Sequence, residues 1–178
     1  MERFAILGIG NPYVSDDGVG VYAIRELKKR VHDPRVVCTE VVVSGLDTLE
    51  HLSGFDEAVI IDAAKTGTVP VGEVWMMSPS QFSSCSPSVS LHTLGVQAAL
   101  RLGSMMGLTI PQHVTIFAIE VSDTETFHEG CTPELKAAIP SLTNEIIGFL
   151  KSKLPDLRNS QDTYKAEQVN DCQRPLIA

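Results

Sequence analysis

The chain is predicted to fold as a three-layer α/β/α sandwich around a twisted, mostly parallel sheet of about five strands, one of them antiparallel. Three observations predict it. Short apolar runs typical of buried strands alternate with amphipathic, helix-period segments from one end to the other. Most strand-to-strand connections are long enough to hold a crossover helix, as parallel neighbours require. A single connection, the Gly- and Pro-containing stretch Thr66–Val71, is too short for one.

Taken in order, Phe4–Ile9 reads as a buried strand bounded by glycine. Val19–Arg30 places Val19, Ala23, Ile24, Leu27 and Val31 at helical spacing, with polar residues opposite. Arg35–Val43 is β-branched and strand-like. Leu46–Leu52 is a short helix stopped at Ser53-Gly54. Glu57–Ile61, with Ala-Val-Ile-Ile at its centre, is the clearest buried strand of the chain and is expected to end on Asp62. Gly72–Met77 follows the short turn and is therefore the antiparallel strand. Ser78–Ser90 is a serine-rich loop, Thr93–Met106 a helix and Val114–Val121 a strand. The last helix runs from Pro133 to about Lys153, with Thr132 as its cap and proline at its first position. Residues 1–154 thus form one domain. From Pro155 the chain turns polar and aperiodic, and 155–178 is expected to be a flexible tail.

Bulk properties narrow the function. The chain has 178 residues, 43% hydrophobic and 20% charged, which fits one soluble domain. A net charge of −8 argues against nucleic acid or an anionic membrane surface as partner. No segment has the roughly 18 uncharged apolar residues that a spanning helix needs, and the N-terminus makes a poor signal peptide. The 4 cysteines contain no Cys-x-x-Cys pair and no disulfide-scaffold pattern, so the reducing cytoplasm is the expected compartment.

Ligands of open α/β sheets collect at the carboxyl ends of the strands, and three polar groups are expected there. The first strand ends at Gly8-Ile-Gly10-Asn11 and leads to Asp16 and Asp17, its glycines flooring a cleft. The Ala58–Ile61 strand ends on Asp62, either a strand-end residue in an Asx turn or a functional acid, since its burial after four apolar residues is costly unless satisfied. The serine-rich loop delivers His92 to the start of the next helix. One or two carboxylates plus an imidazole so placed suit a borderline divalent metal with open coordination positions. Asp16 or Asp17 has the alternative role of capping the helix at Val19. With two acids present, Asp16 is expected to cap and Asp17 to remain free. His32, His51, His113 and His128 have local explanations at helix ends, before a strand or in a solvated loop. Gly67 reads as a turn glycine, and Gly45 as a turn where a ligand can approach the backbone. A dinucleotide site is excluded, because Gly-x-Gly-x-x-Gly needs glycine where Tyr13 stands and two acids would repel a pyrophosphate.

These blocks resemble the hydrogenase maturation endopeptidases, the proteases that trim the large subunit of NiFe hydrogenases. The resemblance rests on Gly8-Ile-Gly-Asn11 with Ser15-Asp-Asp-Gly-Val-Gly20, and on Val59-Ile-Ile-Asp62-Ala63. It continues through Ser90-Leu-His92-Thr-Leu-Gly95, Phe117-Ala-Ile-Glu120 and Gly130-Cys-Thr-Pro-Glu-Leu135, and covers about Phe4–Leu154. It implies that Asp17, Asp62 and His92 contact a nickel ion supplied by the substrate, a NiFe-hydrogenase large-subunit precursor. It also implies that a short C-terminal extension is cut from that precursor after nickel insertion. Asp17 and Asp62 are then the catalytic candidates. Either the metal polarises the scissile carbonyl or water, or an acid acts as base toward water. The family's classification as aspartic-type endopeptidases leans to the second. Asp17 stands where many relatives carry Glu, Pro12-Tyr13 is a minor variant, and the tail beyond Leu154 has no counterpart. Two alternatives belong to other classes: a non-catalytic nickel-sensing maturation chaperone, and an unrelated small metallohydrolase.

Overall fold

A computed structural model of the chain describes residues 2–42, 47–81 and 91–158, the side chains of 91–94 excepted. The strands are β1 (Phe4–Ile9), β2 (Val36–Val41), β3 (Glu57–Ala64), β4 (Val74–Met77) and β5 (His113–Glu120). The helices are α1 (Val19–Arg30), α2 (Asp47–Leu52), α3 (Leu91–Met105) and α4 (Pro133–Lys153), with a 3-10 turn at Ser15–Gly18. The sheet order is β2-β1-β3-β5-β4, parallel except for β4, which runs antiparallel to β5. The α/β/α sandwich with one antiparallel edge strand is therefore present as expected.

Alternation along the strands sorts the side chains into two cores. Phe4, Ile6, Val59, Ile61, Phe117 and Ile119 pack under α1 and α4, against Ile24, Leu27, Leu142 and Ile146. Ala5, Leu7, Ile9, Ala58, Ile60 and Ile116 face the other way, toward Leu52 of α2 and Val96 of α3. Strands β1 and β3 are buried along their whole length. They lie covered on both faces, as parallel central strands must.

Several boundaries differ from expectation for physical reasons. Strand β3 does not stop at Asp62. Its pairing with β1 ends at Gly8–Ile61, but pairing with β5 continues through Asp62–Ala118, Ala63–Ile119 and Ala64–Glu120. A ladder follows its partner's length, not the polarity of one side chain. Helix α3 begins at Leu91, so His92 lies in its first turn rather than ahead of it. Residues 79–81 at the start of the expected serine-rich loop are helical, and 82–90 lie outside the described residues. Thr132 caps α4 as expected, its hydroxyl accepting the Leu135 N–H at 3.4 Å.

Residues 155–158, grouped with the tail on composition, are tied to the domain. Leu157 is buried, Arg158 C=O accepts the His32 N–H at 3.1 Å, and Asp156 meets Arg35 at 3.0 Å. The remainder of the tail, 159–178, lies outside the described residues. Among the described residues no helix is long and apolar enough to cross a membrane.

Candidate active site

The chain leaves β1 through α1 to β2 on one side, then returns to β3 on the other side of β1. The carboxyl ends of β1 and β3 therefore flank the point where strand order reverses, the usual ligand crevice of such sheets. The candidate acids lie here.

Two glycines bring α1 down onto these strand ends. A Cβ at Gly20 would stand 2.4 Å from Ile9 C=O and 2.5 Å from Ile61 C=O. A Cβ at Gly8 would stand 2.0 Å from Gly20 C=O. Neither glycine makes a turn; each removes a side chain so that helix and strands can touch. Gly10, at φ +135°, does take a conformation that favours glycine, and its Cα faces the Asp17 carbonyl. The expected cleft-flooring glycines are thus mainly packing glycines.

The turn that carries the acids is unusual. Ser15, buried, sits at φ +46°, the one non-glycine residue with positive φ among those described. Such a conformation persists only where its surroundings impose it. The Asp17 carboxylate is half-buried, and its Oδ2 accepts the Asn11 N–H at 2.7 Å. Asp62 is fully buried on β3, with its Oδ1 accepting the Ala63 N–H at 2.9 Å. The Ser15–Gly18 turn lies beside β3, so the strand of Asp62 and the turn of Asp17 are neighbours.

Asp16 does not cap α1. The cap position belongs to Gly18, and no side chain bonds there, because the 3-10 turn separates both acids from the helix start. Asp16 is instead fully buried. Its Oδ2 accepts Ser122 N–H (3.2 Å), Ser122 Oγ–H (3.1 Å) and Asp123 N–H (3.1 Å), and its Oδ1 accepts Thr132 N–H (2.7 Å).

A third buried acid at this edge, Glu120, is one that sequence reasoning did not single out as an individual residue. It ends β5, and its carboxylate gathers the loop after β3 by accepting Thr66 N–H at 2.9 Å, Thr66 Oγ–H at 2.8 Å and Gly67 N–H at 2.6 Å. Gly67 turns there at φ +68°, as a turn glycine should. The signal was available: an acid closing the apolar run Phe117-Ala-Ile, the same pattern that singled out Asp62.

His92 is placed by its backbone in the first turn of α3; its side chain lies outside the described residues, as does Gly45. Among the described residues, no group of three His, Cys, Asp or Glu side chains is arranged to hold a metal. Burial and the neighbouring Asp16 charge push the Cys131 thiol up to about 12, and burial pushes Cys38 up to about 11. Both thiols stay protonated near neutrality and offer no thiolate nucleophile. The chemistry of this edge is that of carboxylates: accepting a proton from water or supplying oxygen ligands to a metal.

Compared with known protein families, the chain matches the hydrogenase maturation proteases over residues 21–149. That span takes in Asp62 and His92, while the acid-bearing turn precedes it. The hydrogenase expression/formation protein HupD of Bradyrhizobium diazoefficiens is 27% identical over 145 residues, which are 79% of this chain and 74% of that protein. The hydrogenase 2 maturation protease of Escherichia coli is 24% identical over 153 residues, 84% of this chain and 91% of that one. Among solved structures, the hydrogenase maturating endopeptidase HybD from E. coli superposes with a TM-score of 0.75 at 22% identity. It covers 90% of this chain and 99% of its own.

Proposed function

Since the chain belongs to the hydrogenase maturation protease family, we propose that it removes a C-terminal extension from the precursor of a NiFe-hydrogenase large subunit once nickel has been inserted. The observation that carries this reading is the placement of Asp17 and Asp62 on adjoining elements at the reversal point of the sheet, where the start of α1 is seated on both strand ends. His92, at the start of α3, is the third member of the site.

The nickel belongs to the substrate. Two carboxylates and an imidazole are oxygen and nitrogen donors suited to a borderline divalent ion, and as three ligands they leave positions for the precursor's own groups. Hydrolysis adds water across one peptide bond: the carbonyl carbon gains oxygen, and the departing nitrogen gains a proton. Asp17 serves as the base toward that water. Asn11 N–H holds its Oδ2, and its Oδ1 has no protein partner among the described residues. Asp62, buried on a rigid strand, fixes the opposite side of the site. The free thiols Cys38 and Cys131 suit the reducing cytoplasm, where the precursor would be met.

The test is cleavage of nickel-loaded precursor by purified protein, followed by mass. Wild type shortens the precursor, and Asp17→Asn, Asp62→Asn and His92→Ala each abolish shortening while keeping the native circular dichroism. A stable, uncut wild-type complex would favour the chaperone reading. Normal processing by all three variants would overturn the site assignment.

A further inference from the structure

Asp16 is a buried carboxylate that the proposed reaction does not use. It has no cation beside it among the described residues; its charge is met by the four donors from Ser122, Asp123 and Thr132. Such charge-assisted bonds are stronger than neutral ones, and removing their acceptor leaves buried donors unsatisfied.

The donors come from the two ends of one loop. Ser122 and Asp123 follow β5, and Thr132 is the cap of α4. Between these ends the loop meets the acid-bearing segment again. Ser15 N–H donates to His128 C=O at 2.9 Å, His128 N–H to Tyr13 C=O at 3.0 Å and Gly130 N–H to Pro12 C=O at 3.3 Å. Asp16 also donates its own N–H to Asp123 C=O at 2.9 Å. The segment around Asp17 is only a short 3-10 turn entered through the strained Ser15. Within the segment, Val14 N–H donates to Asn11 C=O at 3.0 Å and Asp17 N–H to Val14 C=O at 3.0 Å, which shape the turn locally. The 122–132 loop adds the ties that fix the turn's place against the rest of the domain.

We infer that Asp16 is a positioning residue, whose inward carboxylate locks the 11–18 turn to the 122–132 loop and thereby sets the place of the neighbouring Asp17. The inference rests on the reading of Asp17 as a site carboxylate. Consecutive residues divide the work: one anchors the backbone and the next presents its oxygens to the substrate. The Asn11 N–H, bonded to Asp17 Oδ2 at 2.7 Å, reports whether the Asp17 side chain is in place.

The test compares Asp16→Asn and the milder Ser122→Ala with wild type, well below their melting temperatures. Asn preserves the shape but turns an NH2 group toward converging N–H donors. Two readouts are combined: amide hydrogen exchange at Asn11 against a core-strand amide such as Ile60, and single-turnover cleavage of nickel-loaded precursor alongside precursor affinity. In Asp16→Asn, exchange at Asn11 accelerates by about tenfold or more beyond any change at Ile60, as local opening should. Cleavage slows by about tenfold or more while affinity is nearly unchanged. Ser122→Ala moves both in the same direction by less. Unchanged Asn11 exchange, or cleavage lost only in proportion to the unfolded fraction, overturns the inference. If Asp16→Asn does not fold, Ser122→Ala decides by the same readouts. If wild type does not cut the precursor, the proposed function fails, and Asn11 exchange still decides whether Asp16 positions Asp17.

Discussion

Substituting Gly20 by alanine tests whether the packing of α1 governs the site. The new Cβ would lie 2.4 Å from Ile9 C=O, 2.5 Å from Ile61 C=O and 2.6 Å from Ile9 N. All three are backbone atoms of central strands, so no side-chain rotation relieves the overlap. Ordinary contact near 3.4 Å requires the start of α1 to retreat by about 1 Å. Overpacking of this kind costs about 1–3 kcal/mol, and alanine's better helix propensity returns at most about 1 kcal/mol. With rigid neighbours on two strands the upper part of the range applies, leaving a net loss of about 2 kcal/mol, or a fall of about 4–8 °C in Tm. The retreat also lifts the Ser15–Gly18 turn, and Asp17 with it, away from Asp62. A misplacement of about 1 Å at a reacting centre costs about 100-fold in rate. The assay is a thermal melt paired with precursor cleavage at a temperature where the variant remains folded. An unchanged Tm would refute the packing contact; a lowered Tm with an unchanged cleavage rate would refute its coupling to the site.

Gly148, exposed on α4, has no atom within 4 Å of its missing Cβ, so Gly148→Ala should stabilise by about 1 kcal/mol and raise Tm without altering cleavage. Asp33 is buried, and Arg35 holds it by Nε at 2.8 Å and Nη2 at 2.7 Å. Asp33→Asn should therefore lose about 2–3 kcal/mol, measured by urea unfolding near neutrality. The Arg35 guanidinium holds the Asp33 carboxyl well below its ordinary 3.8, and the backbone N–H of Thr126, bonded to Asp123, lowers that acid to about 2. Both folded values lie below the unfolded ones, so the unfolded chain binds more protons in acid. The stabilisation is complete above about pH 4 and is lost as pH falls toward 2 and below. Melting temperatures across that range should fall for wild type and less steeply for Asp33→Asn.

Much of the fold could be read from local pattern. Phe4–Ile9 and Val19–Arg30 coincide with their expected limits, because the first is an unbroken apolar run bounded by glycine and the second repeats its apolar residues at a single helical period with charge on the other face. The antiparallel β4 followed from a connection too short for a crossover. The carboxyl-edge placement of Asp17 and Asp62 followed from element order alone. Local pattern failed at Asp62, where the ladder ran on beside β5, and at Asp16, where proximity to a helix start mimicked a cap. It failed again at residues 155–158, whose polar composition hid the anchorage of Leu157 and Arg158.

By itself the sequence determined the order of strands and helices, the faces they bury, and which acids emerge at the sheet's carboxyl edge. These follow from periodicity, and periodicity is a property of neighbours along the chain. Only the tertiary structure decided what each acid does. Asp16 differs from Asp17 because its donors lie more than a hundred residues away, at Ser122 and Thr132. Gly20 serves packing because two strand carbonyls, remote in sequence from each other, arrive beneath it. A buried carboxylate takes its role from the donors that reach it, and those donors assemble only when the sheet does.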